Sequence, residues 1–287
     1  MSEPDTAFTI RRILVALDAS TQSQAALEMA VDLATKMEAE LSGLFVEDVE
    51  LLRMADSPSA REIAYPAATE APLNRTIMER KLRAQSEQIR HTLAAAAHRA
   101  KLRWSFRTVR GQVTSALLAA ASDNDIVAIG RLGWSLGRRI GSTALELATS
   151  SIPLLLISQR AVLGNLRLLV YYDGSSASKN ALLVAAKLAR AGAKSITVLL
   201  SAADYEHKLE EIQDRLQGQA LEVRCRPIDL NEEMNLLRAV REEGAVLLIL
   251  AGRELLKAPE AFEDLLREIE VPVLLLGNGF ERQQTKS

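Results

Sequence analysis

The chain has 287 residues, 48% of them hydrophobic and 25% charged, with a formal net charge of −2. That length suits two ordinary domains, each able to bury a core, and the balance of charge in both halves gives no bulk attraction to nucleic acid or to a membrane surface. The single cysteine, Cys225, leaves no internal disulfide to form, the polar N-terminus MSEPDTAFT lacks the regions of a signal peptide, and no apolar run approaches the roughly 20 residues that span a bilayer, so a cytoplasmic protein is expected.

The first elements are a strand over 12–17, ending at Asp18, and an amphipathic helix over 21–37. Thr21 and Gln24 have the spacing of a capping box, which satisfies free amides at a helix start. A second strand follows at 41–46. Residues 48–76 carry Pro58, Pro66 and Pro72, which argue against one continuous helix; this stretch reads as an insertion or lid. A long charged helix is predicted over 75–100. The strand after it, 103–109, alternates Trp104, Phe106 and Thr108 with Arg103, Ser105 and Arg107, the pattern of a half-exposed edge. A short helix over 113–121 and a fully apolar, buried strand over 125–129 follow. A glycine-rich loop, a helix over 142–149 and a strand over 153–157 complete the first half.

After a linker at 158–165 the pattern repeats. Residues 13–34, ILVALDASTQSQAALEMAVDLA, align with 168–189, LLVYYDGSSASKNALLVAAKLA, so Asp18 matches Asp173. DIVAIGR at 125–131 is echoed by LLILAGR at 247–253, and IPLLLI at 152–157 by VPVLLL at 271–276. A repeat of this length is two domains of one fold rather than a solenoid unit. The expected domains are 1–158, with the insertion at 48–76, and 166–280. Strands alternating with helices imply α/β architecture, two tandem doubly wound domains with parallel sheets and helices on both faces. Ligands in such folds sit at the carboxyl ends of the strands, where strand order reverses.

The strongest chemical candidate is the loop from Gly130 to Thr143. Its four glycines allow close backbone approach. Gly141, Ser142 and Thr143 open a helix whose free amides and dipole favour an anion, and Arg138 and Arg139 add positive charge. This fits a phosphate cradle; the competing reading is a turn whose glycines serve geometry alone. Gly133-Trp134-Ser135-Leu136-Gly137 spells a G-x-S-x-G motif, but Ser135 follows neither directly on a strand nor starts a helix, so hydrolase chemistry is not expected. His91 and His98 share a helix face without the further ligands a zinc site needs. The basic run Arg99, Lys101, Arg103, Arg107 and Arg110 comes with no nucleic-acid motif and reads as a solvated edge.

With ILVALDAS before a helix, LFVED closing the second strand, Gly130-x-x-Gly133, and Gly141-Ser142 before a helix and Pro153, the chain resembles the universal stress protein family over nearly its whole length. The resemblance implies five-stranded parallel sheets of order 3-2-1-4-5, paired through their fifth strands as an internal pseudo-dimer, with a homodimer of chains as a further option. It implies an adenine nucleotide, ATP with or without magnesium, in the first half. Ala16 and Asp18 would line the adenosine, Val46 would contact the adenine, Ile129, Gly130 and Gly133 would pass under ribose and phosphates, and Gly141, Ser142 and Thr143 would hold the phosphates. The seven residues 134–140 between Gly133 and Gly141 form a shorter spacer than in ATP-binding members.

The second half departs further. Gly252-Arg253 is followed by no second glycine and no Gly-Ser pair, and Glu254, Glu260, Glu263 and Asp264 place negative charge where phosphates would sit. A degenerate copy with a structural or partner-binding role is expected, with Asp173 as a carboxylate bonding its own turn. The chain therefore reads as a stress-response nucleotide-binding protein and not an enzyme. The alternative is a non-nucleotide interaction module, in which the insertion and the long helix bind a protein partner or a small apolar ligand.

Overall fold

The computed structural model describes residues 10–57, 61–64, 69–131, 141–150, 152–157, 167–192, 195–217, 221–229, 233–251 and 259–276. The first half runs β1 (Arg12–Leu17), α1 (Thr21–Met37), β2 (Glu40–Asp48), α2 (Val49–Ala55), β3 (Arg61–Ala64), β4 (Thr69–Pro72), α3 (Arg75–Arg99), β5 (Trp104–Gly111), α4 (Val113–Ala121), β6 (Ile126–Gly130), α5 (Ser142–Thr149) and β7 (Leu154–Ile157). The second runs β8 (Arg167–Tyr172), α6 (Ser176–Arg190), β9 (Ser195–Ser201), a 3₁₀ turn, α7 (Tyr205–Leu216), β10 (Glu222–Ile228), α8 (Glu233–Glu242), β11 (Leu247–Ala251), α9 (Pro259–Glu268) and β12 (Val273–Leu276).

All the strands but β3 and β4 form one ten-stranded sheet of order β10-β9-β8-β11-β12-β7-β6-β1-β2-β5. Each half has the order 3-2-1-4-5 and is parallel throughout. The halves meet through β7 and β12, which pair antiparallel with Leu155 opposite Leu274. Both leucines are fully buried, which is why these two runs are apolar at every position and not only at alternate ones.

Helices α1, α3, α6 and α7 cover one face of the sheet, and α4, α5, α8 and α9 the other. Each apolar layer includes residues of both halves, so the halves share their core. Among the described residues no helix is long and apolar enough to cross a membrane.

The structure changes two sequence expectations. The cap of α1 is Ser20, not Thr21: Ser20 Oγ accepts from the Ser23 amide at 3.1 Å, and Ser23 Oγ donates back to the Ser20 carbonyl at 3.0 Å. Thr21 is already helical, so its side chain lies past the orphan amides that a cap must reach. Second, β2 continues through Glu47 to Asp48, which caps α2 by accepting from the Glu50 amide at 2.9 Å. The insertion, expected not to be one continuous helix, holds α2 and the antiparallel hairpin β3–β4. Leu52 of α2 is buried in the layer formed by α1 and α3, so this helix does not cover the opposite face of the sheet.

Candidate functional site

Strand β1 has β2 on one side and β6 on the other, so the chain reverses direction across the sheet at the β1/β6 boundary. This is where ligand crevices form in doubly wound folds. The register places Val15 beside Ala128 and Ala16 beside Leu44. Side chains alternate between faces along a strand, so Ala16, Val46 and Ile129 all project to the face covered by α4 and α5. The structure brings these three together at the carboxyl ends of their strands, half-buried against that apolar layer. The residue on β1 is small, and its neighbours on that face of β2 and β6 are branched.

Asp18 lies just beyond β1 and is exposed. Its Oδ1 accepts from the Ser20 amide at 3.0 Å, across Ala19, which has φ 63°. Asp173 does the same in the second half, accepting from the Ser175 amide at 2.9 Å, and Ser175 then caps α6 as Ser20 caps α1. The repeated aspartate is thus part of the strand-to-helix turn in both copies.

Gly141 is the cap position of α5 and makes no side-chain cap hydrogen bond. Its amide donates to the Arg131 carbonyl at 3.1 Å. Ser142 is exposed and Thr143 half-buried at the first turn, where helix amides are free to meet an anion. Gly133, Arg138 and Arg139 lie outside the described residues.

Gly130 also has a packing reason to be glycine. A Cβ there would stand 2.7 Å from Gln22 Cβ and 3.1 Å from the Gln22 carbonyl carbon. The missing side chain is on the α1 face, and it lets the start of α1 pack against the end of β6.

Beside Val46, the buried Glu47 meets Arg110 of the edge strand at 2.8 Å, and Arg110 also reaches Glu79 of α3 at 3.3 Å. Arg75 continues the chain to Glu79 and to Asp56 of the insertion. The hydrogen bond and charge of Glu47, with the charge of Glu79, raise Arg110 above the ordinary arginine range. Arg110, read from sequence as part of a solvated basic run, is therefore tied into ion pairs that fasten the insertion to the sheet.

The register identifies the corresponding positions of the second half. Tyr171 pairs with Leu199 as Ala16 pairs with Leu44, and Val170 with Ile249 as Val15 with Ala128. Tyr171, Ser201, Leu250 and Ala251 thus stand for Ala16, Val46, Ile129 and Gly130, the last two one residue earlier than the echo of DIVAIGR in LLILAGR sets them. Tyr171 is only 4% exposed and belongs to the apolar layer with Leu199, Ile228 and Leu250. Where the first half has the small Ala16, the second copy has a buried phenol ring. Sequence reasoning missed this contrast, although the signal was there: aligning ILVALDAS on LLVYYDGS sets Ala16 against Tyr171. The next residue differs too. Leu17 becomes the fully buried Tyr172, whose hydroxyl lies near Glu211 and Arg215 without a well-formed hydrogen bond among the described residues. Burial and the Glu211 carboxylate push the Tyr172 phenol above its ordinary range.

The model of the universal stress protein family matches residues 9–158. The chain belongs to that family. A universal stress protein from Archaeoglobus fulgidus shares 18% identity, with 95% of this chain and 100% of that one covered at a TM-score of 0.72. This likeness extends the fold over both halves. UspA from Lactobacillus plantarum, at 20% identity and a TM-score of 0.39, covers 52% of this universal stress protein with 99% of its own length. A universal stress protein solved in complex with cAMP, also at 20% identity and with a TM-score of 0.38, covers 53% with 100% of its own length. No curated protein matches the chain.

Proposed function

We propose that this universal stress protein binds one adenine nucleotide, ATP, per chain, in the crevice of its first half, and that its second half is a structural or partner-binding copy. The observation that carries the reading is the contrast at one register position: the small, half-buried Ala16 in the first half stands where the second half buries the ring of Tyr171. Ala16, Val46 and Ile129 offer an apolar surface to an adenine ring. Asp18, just past the end of β1, offers a carboxylate to the base or to ribose hydroxyls. The start of α5 supplies Gly141, Ser142 and Thr143, with amides that no side chain of the cap residue satisfies, and these suit phosphate. Gly133, Arg138 and Arg139, in the sequence between Arg131 and Gly141, would add backbone approach and positive charge.

Magnesium, where it accompanies the triphosphate, would be carried in by the phosphates themselves. We assign the chain no catalytic step; it acts by binding, as a stress-response protein.

A second reading, an interaction module without nucleotide, draws on α2, where Leu51 is 40% and Met54 is 66% exposed on one side of the helix. Mass spectrometry of small molecules released from the denatured protein, together with calorimetric titration of ATP, separates the two. One adenine nucleotide per chain supports the first. An empty protein with no ATP heat favours the second, and two equivalent ATP sites would contradict the contrast between Ala16 and Tyr171.

A further inference from the structure

Arg131 follows β6 and opens the loop that ends at Gly141. Its backbone is held on two sides. The Arg131 amide donates to the Ile157 carbonyl of β7 at 2.9 Å, and the Arg131 carbonyl accepts from the Gly141 amide at 3.1 Å. Residues 131 and 141 therefore form a closed neck, one residue before α5 begins.

The side chain goes elsewhere. Nη1 of Arg131 donates to the Leu266 carbonyl at 2.9 Å and to the Ile269 carbonyl, in the second half of the chain. Leu266 lies in the last turn of α9 and Ile269 just past its end. Carbonyls there have no intrahelical partner and carry the negative end of the helix dipole, and a guanidinium offers several donors on a permanent charge.

At the matching helix end the first half supplies a hydroxyl of its own. The alignment of IPLLLI with VPVLLL sets Leu147 and Ser150 against Leu266 and Ile269. Ser150 Oγ donates to the Leu147 carbonyl at 2.6 Å, and the Ser150 amide donates to it at 3.0 Å. With isoleucine at that position, α9 has no such hydroxyl, and the donors come from the other half of the molecule.

We propose that Arg131 is a positioning residue that ties the neck of the first half's glycine loop to α9, so that the second half sets the affinity for the phosphate end of a nucleotide bound in the first. The affinity role rests on the nucleotide reading above; the tie itself does not. Coupling between the two is reciprocal: a ligand that tightens the neck also tightens the end of α9.

The test uses the full chain with Arg131→Met and Arg131→Lys. Without ligand, hydrogen exchange of the Gly141 amide should rise about tenfold in the Met variant, the scale of one lost hydrogen bond to a charged group, and less in the Lys variant, which keeps the charge. Equal Gly141 exchange in Arg131→Met and the parent overturns the tie. With ligand, ATP affinity should fall about tenfold in Arg131→Met while adenosine affinity holds, since adenosine has no phosphate for the neck to position. ATP should also slow exchange of the Ile269 amide in the parent and not in the variant. Equal losses for ATP and adenosine overturn the positioning role. A parent that binds no ATP overturns the nucleotide reading and the affinity role with it, while Gly141 exchange still decides the tie. Should Arg131→Met fail to fold, Arg131→Lys carries both measurements, because it keeps a cation in place and loses the fork.

Discussion

Ala16 and Tyr171 occupy the same register position of the two halves, one small and half-buried and the other 4% exposed within an apolar layer. The backbone around them is the same in kind. Asp18 and Asp173 bond the second amide after them, and Ser20 and Ser175 cap the helices that follow. A duplicated scaffold therefore differs at the point where a ligand would enter.

Transplanting that difference is a direct test. Ala16→Tyr should abolish ATP binding while the protein still folds, because the tyrosine ring is accommodated on this strand in the second copy. The reverse change, Tyr171→Ala, removes a buried ring and should cost about 3–5 kcal/mol, the range for large aromatic truncations in a core. It should not create an ATP site, since no Gly-Ser pair follows Gly252. Calorimetric titration and denaturant melts read both. Undiminished ATP affinity in Ala16→Tyr would place the ligand elsewhere.

Gly130 gives a prediction about packing and not about ligand. With its Cβ position 2.7 Å from Gln22 Cβ and 3.1 Å from the Gln22 backbone, Gly130→Ala must push α1 away from β6. Overpacking of this kind costs about 1–3 kcal/mol. The same change matches the second half, where Ala251 stands at this position and is 3% exposed. Urea unfolding should show the loss with an unchanged slope; a neutral result would mean that α1 yields freely.

The fold was legible because its signals are local and repeated. Apolar runs such as LLLI and VLLL, and the alanine-leucine stripes of α1 and α6, mark buried strands and helices within a residue or two of their observed ends. Capping was harder, since Ser20 and Thr21 both carry hydroxyls and only the backbone angles decide which is outside the helix. The site was legible in part. Ala16, Val46 and Ile129 could be grouped from a family likeness, but their common face follows from strand register. Two features could not be read locally: Gly130 answers to Gln22, more than 100 residues earlier, and Arg131 to carbonyls 135 and 138 residues later.

Cys225 lies half-buried on β10, and burial pushes its thiol above the ordinary range. Folding thus favours the protonated form. Its contribution to stability is full at and below the thiol pKa of the unfolded chain, and is lost as pH rises through the higher folded value. Only the thiolate reacts with iodoacetamide. Carboxamidomethylation of the folded protein should therefore be slower at pH 8 than in urea, and its pH profile should shift upward. A folded profile that coincides with the unfolded one would contradict the burial argument.

Ser142 separates a structural role of α5 from a phosphate role, because one substitution moves the two in opposite directions. Ser142 is the first helical residue and is exposed, and the cap before it offers no side-chain partner. An aspartate at this position interacts favourably with the helix dipole, typically by about 0.3–1 kcal/mol, so Ser142→Asp should hold or slightly raise the melting temperature. If the start of α5 meets the phosphates, the same carboxylate repels them. A penalty of about 1.4 kcal/mol weakens ATP tenfold, whereas adenosine should be unaffected. The loss should shrink as salt is added, since the opposing charges lie at the surface. Parallel titrations of ATP and adenosine at low and high salt, beside a thermal melt, check all three signs. A stabilised variant that binds ATP as tightly as the parent would show that the glycine loop and α5 serve the fold alone.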